Sequence, residues 1–176
     1  MEQPFIYAPW MEIKVHPNEC LKQVCEPVGD IDGEIRELAF DMAKTMYNAD
    51  GVGLAAPQVG KFVRLIVVDC SKDKSDLKYL VNPEIISRNG RESGMEGCLS
   101  FPGLSLQVCR DREIEVSAFN LEGEELNFKA SGLLSVCIQH EIDHLDGINF
   151  IDRVSRQVRR HAMRKWDISE FFEEEQ

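Results

Sequence analysis

Residues 131–147, SGLLSVCIQHEIDHLDG, decide how the chain is to be read. Leu133, Val136, Cys137, His140 and His144 recur at helical spacing on one face, and Leu134, Ile138, Ile142 and Leu145 on the other. A helix apolar on both sides is normally buried, so the spacing predicts a core helix with two histidines deep in the protein. Within it stands His140-Glu141-Ile142-Asp143-His144, an H-E-x-x-H pattern. Four residues make about one helical turn. Both imidazoles therefore project to the same side and can hold one metal ion, with Glu141 beside them to handle a proton of water.

Two imidazoles leave such a site incomplete, because a catalytic metal of this kind takes three protein ligands and one open position. A metzincin would continue H-E-x-x-H-x-x-G-x-x-H; this sequence follows as far as Gly147 and then has Phe150 where the third histidine is required. A downstream carboxylate is available in Glu170, within the acidic end DISEFFEEEQ. An upstream thiol is available in Cys98, within EGCLSFPG, where glycines and a turn leave the backbone open to a partner. The residue types by themselves leave both open.

A third segment, GVGLAAPQ (51–58), opens as the relaxed dinucleotide fingerprint G-x-G-x-x-A. An amphipathic helix rather than a strand precedes it, and Pro57 with Gly60 leaves no room for a crossover helix, so a cofactor loop is excluded. Glycines here serve instead to admit a peptide backbone closely, with the Gln58 amide able to donate to an oxygen.

Outward from these segments the chain reads as one domain. Ile35, Leu38, Ala39, Met42 and Met46 draw an apolar stripe on a helix over 33–48, with Asp32 as its cap. RLIVVD (64–69) is a compact β-branched run, and short strand-like pieces follow at 78–81, 84–87, 104–109 and 113–120. In the last, Ile114, Val116 and Ala118 alternate with Glu113, Glu115 and Ser117, the period of a half-exposed strand. A further strand ends near Ala130, and a third, amphipathic helix is expected over about 155–166. The expectation is an α+β fold: short, mostly antiparallel strands around a buried central helix carrying H-E-x-x-H, with one helix near the N-terminus and one near the C-terminus.

The chain has 176 residues, 43% of them apolar, enough for one real core. Twenty Lys and Arg stand against 31 Asp and Glu, a net charge of −11. A field of that sign disfavours general nucleic-acid binding and adherence to anionic membranes. The excess is uneven: Arg153–Lys165 carries six basic and no acidic residues. No long apolar run or signal-peptide layout is present, which reads as a soluble, cytoplasmic protein. Six scattered cysteines without C-x-x-C spacing are expected to be reduced.

GVGLAAPQ (51–58), EGCLS (96–100) and QHEIDHLDG (139–147) occur in the order and spacing of the three signature motifs of the peptide deformylases. The chain resembles that family over about residues 13–155. This leaves 1–12 as an N-terminal extension, 13–155 as a catalytic domain and 156–176 as a basic helix with an acidic tip. The resemblance implies hydrolysis of the formyl group from N-formylmethionyl nascent peptides. It implies Cys98, His140 and His144 as ligands of one divalent metal ion, usually Fe(II), with Zn, Ni or Co able to replace it; a thiolate and two imidazoles suit all four. Glu141 would move the proton, and the Gln58 amide and Leu99 N–H would receive the charge on the formyl oxygen. Val52, Leu133, Val136 and Cys137 match the pocket for the methionine side chain, and Gly53 and Gly97 match positions that pair with the peptide backbone. Some members dock on the ribosome through a basic C-terminal helix, which here would be Arg153–Lys165. Two other readings stand beside this one: an H-E-x-x-H endopeptidase using Glu170, and a catalytically silent ribosome-associated homologue.

Overall fold

The structure, a computed structural model, describes residues 11–167. Glu170, the acidic tip and most of the N-terminal extension lie outside the described residues.

Helix α1 spans Gly33–Asn48, and the Asp32 carboxylate caps it by accepting from the Ile35 N–H at 3.0 Å. Its buried face is Ala39, Met42, Ala43, Thr45 and Met46, close to the expected stripe, with Ile35 and Leu38 partly covered. Helix α2 is Gly132–Leu145 and helix α3 is Arg156–Lys165, capped by Ser155. Five strands form one antiparallel sheet in sequence order: β1 Gly53–Ala55, β2 Leu65–Val68, β3 Lys78–Cys98, β4 Phe101–Phe119 and β5 Glu125–Ser131. No helix among the described residues is long and apolar enough to cross a membrane.

The sheet separates two cores. Ile66, Val68, Leu80, Val116 and Ala118 face α2 with Ile138, Ile142 and Leu145. Leu65, Val67 and Val81 point the other way, onto Met42 and Met46 of α1. β2 is thus buried on both faces, which is why its sequence is continuously apolar rather than alternating. A third cluster packs Leu21, Phe101, Leu106, Phe150 and Ile151 under α3, whose Ala162, Met163 and the following Trp166 cover it. Phe150, the residue that breaks the metzincin pattern, is a core aromatic here, 5.4 Å from the Phe101 ring.

The α+β class matches the expectation, but two elements differ from the sequence reading. The four pieces expected between 78 and 120 merge into two strands of 21 and 19 residues. Their middle, around RNGRES, is polar on both faces, so no hydrophobic period marks it. It pairs through its backbone and through cross-strand contacts such as Arg88–Asp111 at 2.6 Å and Asn89–Glu113 at 3.0 Å. The Gly- and Pro-rich segment after α1, whose composition marks no regular element, forms β1 and a 3-10 helix over Ala56–Val59. Three residues are too few to show a period, and pairing with β2 supplies what propensity does not.

Candidate metal centre

α2 places His140 and His144 on one side, with ring centroids 5.0 Å apart, and buries both. Cys98 arrives from the far end of β3. A two-residue turn, Leu99–Ser100, joins β3 to β4 there, and a register shift between Gly97 and Cys98 re-aims the thiol inward. Ligand atoms of Cys98, His140 and His144 lie within 4.8 Å of one another, and Cys98 Sγ is 3.3 Å from His144 Nε2. Of the two third ligands left open by residue type, the structure brings Cys98 to the histidines; Glu170 is outside the described residues.

The surroundings fit a cation. Burial pulls the His140 pKa down, yet the facing Cys98 sulfur and the Glu96 carboxylate outweigh it, and the ring is pushed well above its ordinary value. Thiol and carboxylate together favour a positive charge at the His140 ring. Burial, together with His140 and Arg110, holds His144 well below the usual histidine range, the neutral form that a metal requires. Burial pushes Glu141 up to about 7, and its Oε2 has no hydrogen-bond partner among the described residues.

Gln58 is buried, and the Ala55 N–H donates to its Oε1 at 2.9 Å. That bond turns its Nε2 toward Ser100 Oγ, at 3.1 Å, and Cys98 Sγ, at 3.6 Å. Gln58, Leu99, Val52, Gly53, Gly97, Leu133, Val136 and Cys137 all line one cavity of about 430 Å³, with Cys98, His140 and Glu141 in its wall. His144 lies deeper, at 0% exposure. The first turn of α2 is less covered than its pattern predicts: Leu133 is 56% exposed, at the cavity mouth.

Sequence reasoning missed the charged scaffold behind the histidines. Glu96 Oε2 sits 3.0 Å from His140 Nδ1; Arg110 donates to Glu96 at 2.7 and 3.0 Å and to Asp143 at 2.6 Å. Arg153 closes the far side with bonds to Asp143 at 2.9 and 2.5 Å. Burial pushes Glu96 up, but the bonds from His140 and Arg110 win and hold it at about 2. The available signal was Arg110 itself, a charged residue at an inward position of a strand. Ser100 and the exposed Met95 at the cavity rim were also missed.

The profile of the polypeptide deformylase family matches residues 10–160. The chain belongs to the peptide deformylase family. It is 46% identical to the peptide deformylase of Hydrogenovibrio crunogenus over 156 residues, covering 89% of this chain and 92% of that protein. The Thermodesulfovibrio yellowstonii peptide deformylase is 45% identical, with 88% and 94% covered. Among solved structures, a peptide deformylase from Legionella pneumophila superimposes with a TM-score of 0.89 at 40% identity, over 96% of this chain and 99% of that one. A Synechococcus elongatus peptide deformylase in complex with actinonin gives 0.86 at 40% identity, over 93% and 92%. Peptide deformylases are metalloenzymes, and the Cys98, His140 and His144 cluster of this member has a donor set suited to a metal ion.

Proposed function

We propose that this member of the peptide deformylase family removes the N-formyl group from formylmethionine at the start of newly made polypeptides, releasing formate. The observation that carries the reading is the convergence of Cys98, His140 and the deeper His144 at a partly apolar cavity whose wall also holds Glu141. Cys98 as thiolate and the two imidazoles would hold one divalent ion, Fe(II) in the cell, with Zn, Ni or Co as substitutes. When bound, the ion supplies Lewis acidity that makes water nucleophilic at neutral pH.

Glu141 accepts the proton of the attacking water and delivers it to the departing amine as the formyl C–N bond breaks. A carboxylate raised to about 7 is matched to that exchange at neutral pH. Gln58 Nε2 carries two hydrogens; Ser100 takes one, and the other points along the Cys98 side, where the formyl oxygen gathers charge. The Leu99 N–H is the second donor. Losing one donor of this kind costs about 10²–10³ in kcat.

Val52, Leu133, Val136 and Cys137 receive the methionine side chain, whose burial stabilises the complex by about 1.5–3 kcal/mol. β1 is an edge strand, and β3 is paired with β2 only over Lys78–Val81. The β1 edge at Gly53 and the β3 edge at Gly97 can therefore take an extended peptide between them by strand addition.

Residues 13–155 form the catalytic unit in this reading, acting in the cytoplasm without membrane attachment. Arg153–Lys165 is the surface for the ribosome. Arg153 and Arg159 are engaged by Asp143 and Asp152, so docking falls to the exposed Arg156, Arg160, Arg164 and Lys165. No observation favours the endopeptidase, and the silent homologue would need a broken motif, whereas Cys98, His140, Glu141, His144 and Gln58 are all present.

The test is formate release from formyl-Met-Ala-Ser by protein purified anaerobically, with metal measured. Release is expected in wild type and lost in Glu141→Ala with metal retained. One metal bound per chain without formate release overturns the reading.

A further inference from the structure

Cys70 stands two residues beyond β2, after Asp69, and Cys137 lies on α2 one turn before Glu141; the two thiols lie close enough to influence one another across the seam between sheet and helix. The backbone fixes this approach independently. The Val52 carbonyl accepts from the Asp69 N–H at 2.8 Å and from the Cys137 thiol at 3.4 Å. Cys137 Sγ therefore rests near Asp69, just past the end of β2, with Cys70 the next residue along. Cys137 belongs to the buried cluster against which Cys70 packs.

The two sulfurs differ in access. Cys137 is buried, whereas Cys70 is only partly so, and Cys70 meets a reagent from solution first. The neighbouring Cys137 thiol favours the Cys70 thiolate against the opposing effect of burial, while the nearness of Cys70 and burial keep Cys137 protonated. An accessible attacking thiol backed by a buried resolving thiol is the arrangement that closes a disulfide in two steps.

Cys137 is also part of the cavity wall. A Cβ added to Gly53 would lie 2.6 Å from Cys137 Sγ and 2.6 Å from Glu141 Oε1, so sulfur, glycine and carboxylate meet at one point.

We infer that Cys70 and Cys137 are a reversible oxidative modification site: a small disulfide such as oxidised glutathione closes them into a cross-link that draws the Cys137 sulfur away from the cavity wall beside Glu141. The Cys70 thiolate attacks one glutathione sulfur, that S–S bond breaks, and one glutathione thiolate leaves. The Cys137 sulfur then attacks the Cys70 sulfur, the second glutathione leaves, and the Cys137 proton passes to that departing thiolate. Two protein thiols are oxidised by two electrons, and one glutathione disulfide is reduced to two thiols. The linkage does not depend on the catalytic reading, whereas its effect on turnover rests on the deformylase reading.

The experiment incubates the metal-loaded full-length chain with excess oxidised glutathione, blocks remaining thiols, and maps cross-linked peptides by mass spectrometry while following formate release and metal content. Wild type is expected to yield a Cys70–Cys137 peptide pair with metal retained. Its kcat/KM should fall by about 10- to 100-fold, the cost of displacing groups at a reacting centre by about an ångström, and dithiothreitol should restore it. Cys70→Ser should start with wild-type activity and keep it under oxidant. Cys137→Ala should hold glutathione on Cys70 as an unresolved mixed disulfide. Absence of the linked pair from oxidised wild type, or glutathione left standing on its Cys70, overturns the modification site. Equal inactivation of Cys70→Ser overturns its control of turnover. Failure of the deformylase reading is separately visible as no formate release before oxidant is added, and the peptide map still decides the linkage.

Discussion

Glu96 Oε2 lies 3.0 Å from His140 Nδ1, so one ring nitrogen is committed to a buried carboxylate and the other is left for the site. A carboxylate behind a metal-binding histidine fixes its tautomer and orientation. Glu96→Gln should weaken metal binding by about 10–100-fold while the fold persists, as read by chelator competition. An unchanged affinity would show that packing alone orients the ring.

Arg110 is 5% exposed and bridges Glu96 and Asp143, which are also buried. Removing it strands two carboxylates away from water. Arg110→Met should cost about 3–5 kcal/mol of stability, measured by chemical denaturation. Arg153→Met, at the half-exposed end of the same network, should cost clearly less. Equal losses would contradict the order of burial.

Gly53 and Gly147 are both required, for different reasons. Gly53→Ala places a methyl group 2.6 Å from the Glu141 carboxylate and the Cys137 sulfur, and should lower kcat/KM tenfold or more for an overpacking cost of about 1–3 kcal/mol. Gly147 has φ +71° and would press a Cβ to 2.5 Å from the Lys22 carbonyl oxygen. Gly147→Ala should lower the melting temperature and leave the kcat of the remaining folded enzyme unchanged. Steady-state kinetics beside thermal denaturation separates the two.

Tyr47 donates to Asp69 at 2.6 Å, and the Ser71 hydroxyl donates to the same carboxylate at 2.5 Å. Burial raises the Asp69 pKa, but these bonds outweigh it and leave the group below its ordinary value. Its contribution to stability is therefore complete above the usual carboxylate range and is lost as pH falls through the lowered folded value. Asp69→Asn should be less stable than wild type at neutral pH, with the gap narrowing below about pH 4. A gap independent of pH would assign the loss to geometry rather than charge.

Exchanging the outer basic residues of α3, Arg156, Arg160 and Arg164, for Glu should abolish cosedimentation with ribosomes. It should leave hydrolysis of a free formyl-Met tripeptide unchanged, because the cavity is formed by other elements. Undiminished cosedimentation would remove α3 from the docking surface.

Much of this molecule was legible before its structure, wherever one periodicity governed one element. The α1 stripe, the Asp32 cap and the two-sided α2 follow from spacings of two to four residues, which local geometry imposes. The long β3–β4 hairpin did not follow, because RNGRES pairs through its backbone and carries no apolar period. Ser100, Glu96 and Arg110 escaped for a related reason: a buried polar residue is recognised by its partner, and the partners lie on other segments.

The sequence by itself determined that His140, Glu141 and His144 share one turn of a buried helix, since 3.6 residues per turn leaves them no other arrangement. Only the tertiary structure shows which residue stands beside that turn. Cys98 stands 42 residues upstream of His140, and no local rule relates them. The Leu99–Ser100 turn and the register of β3 on β4 bring the thiol within reach. The same folding sets the Glu96–Arg110–Asp143 charges behind the ring and lays Cys70 against Cys137, because a contact between distant segments depends on packing, which sequence spacing does not record.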